Sequence, residues 1–200
     1  ILLPEARYEL VKTMRASILV MGPLVARYGK AKISQPGGCD IGTRPIDFHL
    51  SGLEKMGAEI TSDSRYIYLK AKKLNPIDFS FPKVSVTGTE NLMMAATLID
   101  GTTTLKNCAK EPEVLELANY LNSCGAKISG AGESEIEIKG VKKLEASMWD
   151  VLFDRIEAGT YLVAGAITNG HVKVNKINPN TISIISKKLI DMGAVSYTHL

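Results

Sequence analysis

Apolar residues recur at helical spacing in six stretches of the chain, and shorter stretches between them alternate apolar with polar residues. The first pattern predicts helices that bury one face, and the second predicts half-buried strands. We predict helices over 8–28 with a kink at Gly22-Pro23, and over 46–56, 90–99, 111–124, 155–168 and 181–192. We predict strands over 58–61, 66–70, 102–106, 135–139 and 171–175. The mixture places the chain in the α/β (α+β) class.

The pattern repeats along the chain. Leucine, three residues, glycine and alanine recur with the glycines at Gly57, Gly125 and Gly193, two intervals of 68 residues. Each copy predicts a helix that ends on a left-handed glycine and is followed by a strand. A second phrase, an apolar helix with a glycine and an alternating strand, precedes each copy. We therefore predict one domain over 1–195, in which repeats of about 1–72, 73–140 and 141–195 pack together with pseudo-threefold symmetry.

Both ends of the chain depart from this pattern. The sequence runs through two further strands after the first two Gly-Ala pairs, but only six residues follow Ala194. We therefore expect the third repeat to be incomplete and residues 196–200 to be a truncation tail. Ile1 is not an initiator methionine, so we also expect an upstream part to be missing.

Composition narrows the function classes. The chain has 200 residues and is 45% hydrophobic, which is enough for a large core, and its net charge of +3 is scattered. The charge pattern does not favour nucleic acid and is compatible with a small anionic substrate. No apolar run or leader predicts a membrane span or a signal peptide. Three unevenly spaced cysteines fit neither a disulfide framework nor a metal site, and they suit a reducing cytoplasm.

The most reactive candidate is Cys39, which lies in the glycine-rich stretch 36–45. Glycines let the backbone approach a ligand closely, and the nearby Arg44 favours a thiolate and binds anions. A turn whose cysteine packs underneath is the alternative. A hydrolytic cysteine enzyme has little support, because no cysteine and histidine dyad is evident. Cys108 and Cys124 adjoin apolar positions and are predicted to be buried, inert thiols.

Three further segments carry candidate chemistry. Arg15 lies on the first helix, where a solvated arginine is the alternative. Residues 44–49 open the next helix, whose amide groups favour an anion, and a simple N-terminal cap is the alternative. Residues 83–91 place a lysine and hydroxyl groups before a helix and suit a phosphate or uridine, but a connection with threonine caps has the same pattern. Residues 154–160 begin a helix with charges that are compatible with intrahelical pairing.

Taken together, these motifs resemble the UDP-N-acetylglucosamine 1-carboxyvinyltransferase family of the EPSP synthase superfamily, over about 1–195. The resemblance rests on Lys-Thr-Met-Arg-Ala-Ser at 12–17, Pro-Gly-Gly-Cys at 36–39, Ile-Gly-Thr-Arg-Pro-Ile-Asp-Phe-His at 41–49, Lys-Val-Ser-Val-Thr-Gly-Thr-Glu-Asn at 83–91, Glu-Pro-Glu-Val at 111–114 and Asp-Arg-Ile-Glu-Ala-Gly-Thr at 154–160. The sister family, 3-phosphoshikimate 1-carboxyvinyltransferase, would share the repeats but is not expected to have the Pro-Gly-Gly-Cys loop.

The resemblance implies a reaction and roles for the candidate residues. The enolpyruvyl group of phosphoenolpyruvate moves to the 3-hydroxyl of UDP-N-acetylglucosamine, phosphate leaves, and no cofactor takes part. Cys39 would donate a proton to the methylene carbon, form a phospholactoyl thioether and be alkylated by the epoxide fosfomycin. The implied substrate-binding residues are Arg15 and Arg44 for anionic groups, Arg44, Pro45, Ile46, Asp47 and Phe48 for uridine, and Lys83, Val84, Ser85 and Val86 for the diphosphate.

The resemblance also implies an architecture. The family has two domains, each an inside-out α/β barrel of three βαβαββ units with helices inside, and catalysis takes place in the cleft between them. This chain would carry most of one domain, without an upstream Lys-Asn pair and without the second domain and its general-base aspartate. We therefore expect the 200-residue chain alone not to turn over. A noncatalytic repeat domain that binds a nucleotide sugar or a protein partner is the alternative from another class.

Overall fold

The computed structural model describes residues 3–11, 14–35 and 46–197. The described residues up to Met148 form one compact unit, and those from Trp149 onward form a second. The first unit contains eight strands among its described residues: β1 (Glu5–Ala6), β2 (Lys30–Ser34), β3 (Glu59–Ser62), β4 (Tyr66–Lys70), β5 (Asp78–Ser80), β6 (Thr102–Lys106), β7 (Lys127–Ser129) and β8 (Glu135–Lys139). Its helices are α1 (Tyr8–Val11), a 3₁₀ helix (Arg15–Val20), α2 (Met21–Tyr28), α3 (Asp47–Lys55), α4 (Val86–Ala96) and α5 (Pro112–Ser123).

The strands form two separate four-stranded sheets with the same topology. The strand order is β1-β2-β4-β3 in one sheet and β5-β6-β8-β7 in the other. In each sheet the first pair is parallel and the other two pairs are antiparallel. A parallel pair needs a crossover connection, which helices supply in both cases. The elements of the two sheets therefore follow the same βαβαββ order along the chain.

The three repeated glycines end helices in the same way. Gly57, Gly125 and Gly193 have φ values of 101°, 96° and 97°. The backbone N–H of the alanine after each glycine donates to the carbonyl oxygen of the leucine five residues earlier, over 3.0 Å in all three copies. This bond and the left-handed residue before it define a Schellman cap, which glycine adopts without a Cβ penalty. The sequence prediction of these three helix ends is confirmed.

Helix α4 lies at the centre of the first unit. Leu92, Met93 and Ala95 are fully buried, and α2, α3 and α5 all pack against the helix. Two glycines on the neighbouring helices permit the close approach. A methyl group on Gly22 would collide with Asn91, and one on Gly52 would collide with Leu92. Burial of α4 agrees with the expectation that helices lie inside, although the two sheets do not close into a barrel.

The second unit contains α6 (Arg155–Ile167), a 3₁₀ helix (Pro179–Ile182) and α7 (Ser183–Asp191), and no strand among residues 149–197. The predicted strand over 171–175 is therefore wrong. In the second repeat the corresponding strand β6 is paired along its length with β8. Within the described residues no segment takes the place of β8 beside 171–175, so an alternating pattern finds no ladder partner there. Val172 packs instead against Gly165 of α6.

Two predicted helices differ from the structure, one because it is divided and the other because it begins earlier. The helix predicted over 8–28 is divided into α1, a 3₁₀ helix and α2, and the change from 3₁₀ to α falls at Met21. Pro23 lies in the first turn of α2, where its missing N–H removes no intrahelical bond. Helix α4 begins at Val86, four residues before the predicted start, because burial of its N-terminal half outweighs the low helix propensity of Gly88.

Candidate functional site

The predicted site residues fall into two groups. Cys39, Arg44 and Pro45 lie outside the described residues. The others lie at or beside the first turns of three helices of the first unit: Arg15 begins the 3₁₀ helix, Ile46, Asp47 and Phe48 start α3, and Lys83, Val84, Ser85 and Val86 lead into α4. The described candidates are therefore all placed where backbone N–H groups have no intrahelical acceptor.

At the start of α3, Ile46 occupies the N-cap position and has no side-chain oxygen that accepts from the helix. Its carbonyl accepts from the N–H groups of His49 over 2.9 Å and Leu50 over 3.2 Å. Asp47 is exposed and is the first helical residue, so it lies one position after the N-cap. No side chain among the described residues caps this turn, so its amide groups and the positive end of the helix dipole suit an anion.

At the start of α4, Ser85 is the N-cap residue. Its Oγ accepts from the Gly88 N–H over 3.1 Å, and its carbonyl accepts from Thr89 Oγ1 over 2.8 Å. The cap is thus a serine rather than the threonine considered in the sequence. A serine hydroxyl that accepts one bond still has its own O–H to donate. Lys83 and Val84 are exposed beside it.

The buried imidazole of His49 joins the first turn of α3 to α4. Its Nε2 lies 3.3 Å from Oγ1 of Thr87 in the first turn of α4, and its Nδ1 lies 2.8 Å from Nδ2 of Asn91, one turn further along. Asn91 in turn contacts the first turn of α2, because its Oδ1 accepts from the Gly22 N–H over 2.7 Å. The structure places His49 between α3 and the start of α4, two of the segments that carry the candidates.

The electrostatics of His49 also place Arg15 at this junction. Burial, and then the positive charge of Arg15, lower the pKa of His49 from 6.5 to about 4. The imidazole is therefore neutral at pH 7, and it neither repels Arg15 nor competes for an anion. Arg15 is half-buried at the start of its 3₁₀ helix. A positive charge that acts on the ring between α3 and α4 is suited to phosphate groups.

Sequence reasoning did not assign a role to Asn91 or to Glu90. Both are buried on α4, immediately before the apolar run Leu92-Met93. A signal was present, because a polar pair on the buried face of an apolar helix requires partners. Burial, then the charges of Glu113 and Glu111, raise the pKa of Glu90 from 4.5 to about 7.

A groove adjoins the predicted diphosphate segment. It has a volume of about 430 Å³ and is lined by Val84, Asn107, Cys108, Lys110, Glu111 and Ser134. A second groove of about 360 Å³ is lined in part by Gln35 and Ile46, the described residues on either side of 36–45. Cys108 and Cys124 are buried free thiols, as predicted. Burial raises the pKa of the Cys108 thiol to about 11, so it is inert at neutral pH.

Histidine, cysteine and acidic side chains nowhere gather in threes as metal ligands within 3–11, 14–35 and 46–197. No helix in these ranges has the length and apolar character that a membrane span requires.

Known proteins resemble the chain in sequence and in fold. A protein of Koribacter versatilis (strain Ellin345) named UDP-N-acetylglucosamine 1-carboxyvinyltransferase is 55% identical over 190 residues, which is 95% of this chain and 44% of that protein. The chain thus spans less than half the length of this curated relative.

Solved structures share the fold. The enolpyruvyl transferase NikO from Streptomyces tendae superposes with a TM-score of 0.69 at 22% identity, covering 82% of this chain and 39% of NikO. EPSP synthase from Acinetobacter baumannii superposes with a TM-score of 0.60 at 20% identity, covering 78% of this chain and 35% of that chain. These two likenesses establish a mixed α/β fold of the enolpyruvyl transferase type.

One family accounts for the chain almost from end to end. The family described as EPSP synthase (3-phosphoshikimate 1-carboxyvinyltransferase) matches residues 2–198. The match includes both units and every candidate residue. The chain therefore belongs to the EPSP synthase family.

Proposed function

We propose that the protein transfers the enolpyruvyl group of phosphoenolpyruvate to the 3-hydroxyl of UDP-N-acetylglucosamine and releases phosphate, a step of peptidoglycan synthesis. The observation that carries this proposal is the 55% identity to a relative named UDP-N-acetylglucosamine 1-carboxyvinyltransferase. The Pro-Gly-Gly-Cys motif at 36–39 and the Arg-Pro-Ile-Asp step at 44–47 point to the same acceptor. The site residues retain the roles that the resemblance implies.

The described geometry supports an acceptor that carries phosphates. Arg15 and the first turns of α3 and α4 come together around a neutral His49, and Lys83 is exposed beside the Ser85 cap. Cationic side chains and free helix amides bind a diphosphate by charge-assisted hydrogen bonds. In this arrangement the diphosphate lies against 83–86, and the nucleoside lies against 44–48.

The proposed chemistry proceeds by addition and elimination. The sugar 3-hydroxyl oxygen bonds to C2 of phosphoenolpyruvate while the thiol of Cys39 delivers a proton to C3, and the hydroxyl proton passes to a general base of the second domain. A proton then leaves C3, the bond from C2 to the phosphate oxygen breaks, and inorganic phosphate departs. Neither step oxidises or reduces the substrates, so no redox cofactor is needed.

The proposal also includes the barrel and the second domain, which the two described sheets do not form by themselves. Two βαβαββ units and an incomplete third over 1–195 belong to an inside-out barrel, a second domain of the same protein closes the cleft, and the enzyme works in the cytoplasm. The second candidate is the reaction of 3-phosphoshikimate 1-carboxyvinyltransferase, because the description of the matching family names that enzyme. A noncatalytic nucleotide-sugar-binding domain is the third.

Phosphate release by the complete protein separates these candidates. We expect release that requires both phosphoenolpyruvate and UDP-N-acetylglucosamine, with enolpyruvyl-UDP-N-acetylglucosamine identified by mass spectrometry. Replacement of the acceptor by 3-phosphoshikimate serves as the matched control and should give only background release. Turnover with 3-phosphoshikimate in place of the nucleotide sugar would establish the sister reaction. Binding of UDP-N-acetylglucosamine without any phosphate release would establish the noncatalytic alternative.

A further inference from the structure

Asn91 connects three segments of the first unit through one side chain. It is completely buried on α4. Its amide accepts from the Gly22 N–H over 2.7 Å, donates to the Ile18 carbonyl over 3.4 Å and donates to His49 Nδ1 over 2.8 Å. These partners belong to α2, the 3₁₀ helix and α3, so the side chain ties three neighbouring elements to the central helix.

The hydrogen-bond pattern determines which protons are present. A backbone N–H is always a donor, so the Asn91 atom that faces Gly22 is the carbonyl oxygen and the other terminal atom is the NH₂ group. That group donates to His49 Nδ1, which must then be unprotonated. The imidazole proton consequently lies on Nε2, which donates to Oγ1 of Thr87 over 3.3 Å. The tautomer thus follows from an unambiguous backbone donor.

This neutral tautomer matters because of what lies beside it. Arg15 is close enough to His49 for its charge to affect the ring. A carboxylate in this place would pair with the guanidinium, and an imidazolium would repel it. A neutral ring with both nitrogens bonded to α4 adds no charge of its own beside Arg15, and it holds the first turn of α3 against the first turn of α4.

We propose that Asn91 is a positioning residue for the acceptor. Acting through the neutral Nε2–H tautomer of His49, it fixes the mutual placement of the helix starts that carry Arg15, 46–48 and 83–86, and so determines the affinity for a diphosphate-bearing nucleotide sugar. The inference rests on the proposed function, but it assigns a role to two residues that do not themselves contact the substrate.

The decisive variant is Asn91→Asp in the complete protein. The carboxylate keeps the shape of the side chain and still accepts from Gly22, but it donates neither to His49 nor to the Ile18 carbonyl. Nδ1 of His49 must then carry a proton. We expect imidazole nitrogen chemical shifts to change from the Nε2–H pattern of the unchanged protein to a Nδ1–H or doubly protonated pattern. Calorimetry should show about tenfold weaker binding of UDP-N-acetylglucosamine, a typical result of losing one buried hydrogen bond.

A matched control separates positioning from general stability. Asn122 on α5 also uses its amide for two backbone bonds, to and from Ile128, both over 2.9 Å. Asn122→Asp therefore loses the same kind of donor elsewhere in the unit. We expect a similar fall in the denaturation midpoint, with His49 shifts and acceptor affinity unchanged.

A second pair keeps the test decisive if Asn91→Asp does not fold. The amide in His49→Gln supplies an acceptor for Asn91 and a donor for Thr87 without an ionisable ring, whereas His49→Phe supplies neither. We expect His49→Gln to bind UDP-N-acetylglucosamine about as tightly as the unchanged protein and His49→Phe to bind about tenfold more weakly.

The outcomes distinguish this inference from the proposed function. An unchanged protein that fails to bind UDP-N-acetylglucosamine contradicts the proposed function, whatever the variants do. An unchanged protein that binds it, with Asn91→Asp or His49→Phe binding equally well, overturns the positioning role. A Nδ1–H tautomer of His49 in the unchanged protein also overturns it.

Discussion

We expect Cys39→Ala in the complete protein to lose enolpyruvyl product, whereas Cys39→Asp should retain turnover and escape alkylation by fosfomycin. The proposed role of Cys39 is to deliver a proton to carbon, which requires an acid at that position rather than sulfur itself. A positioned general acid contributes about 10²- to 10⁴-fold to rate, so the alanine variant should fall by at least the lower figure. A carboxyl group supplies a proton but is a poor nucleophile towards an epoxide.

The aspartate variant should also change the pH profile. A carboxylic acid has an ordinary pKa of about 3.9 and a thiol one of about 8.5, so the fraction of the acid form at neutral pH is smaller for aspartate. Product formation by Cys39→Asp should therefore rise towards lower pH more steeply than that of the unchanged protein. Initial rates of product formation between pH 5 and pH 8 measure this difference.

Cys124→Ala is the control for this prediction. Cys124 ends α5 as a buried free thiol and has no place in the proposed reaction. Its replacement should leave the rate of product formation and the alkylation of Cys39 unchanged. Full activity in Cys39→Ala would contradict the assignment of the proton donor.

The second large effect concerns the dependence of stability on pH, because His49 and Glu90 act in opposite directions. The pKa of His49 falls on folding from 6.5 to about 4, so between these values the unfolded chain binds a proton that the native protein does not. Native stability is therefore lost as the pH falls through this window, by about 3 kcal/mol in total. The causes are burial and the charge of Arg15.

Glu90 has the opposite sign. Burial, Glu113 and Glu111 raise its pKa from 4.5 in the unfolded chain to about 7 in the native protein. The native protein holds the extra proton between these values, so the contribution of Glu90 to stability is present below pH 4.5 and is lost as the pH rises to 7. The two windows overlap between pH 4.5 and 6.5, and the two slopes there oppose each other.

Urea denaturation at a series of pH values tests this opposition. Glu90→Gln removes the Glu90 contribution. The free energy of unfolding of this variant should therefore rise with pH between 4 and 6.5 more steeply than that of the unchanged protein. Removal of the His49 contribution in His49→Gln should leave stability that falls with pH between 4.5 and 7. Identical pH dependence in all three proteins would show that neither group has a shifted pKa.

Local signals explain why much of the first unit was predictable. The helix ends at Gly57 and Gly125 were predictable because a left-handed residue after a helix is usually a glycine. Both glycines have a positive φ in the structure. The predicted start of α5 was correct within one residue, because proline is favoured at the first position of a helix and Pro112 occupies that position. These features need no information about the rest of the chain.

The failures have a common cause in tertiary structure. The segment 171–175 alternates like a strand, but a strand also needs a partner, and none lies beside it among the described residues. Helix α4 begins early because its first turns are buried, and Gly88, which is unfavourable in an isolated helix, packs beside Phe81 and Ser85. The junction at His49 joins residues 42 and 38 positions apart, and Asn91 reaches Gly22 across 69 positions. Periodicity reports on neighbours within an element and has no access to such contacts.

The most direct test of the proposed function is covalent labelling of Cys39. The complete protein should be incubated with fosfomycin alone, with UDP-N-acetylglucosamine added, or with 3-phosphoshikimate added, and the modified residue located by peptide mass spectrometry. We expect one adduct, on Cys39, whose formation is accelerated by UDP-N-acetylglucosamine and not by 3-phosphoshikimate. An unmodified Cys39 in the presence of saturating UDP-N-acetylglucosamine would contradict the proposed transferase.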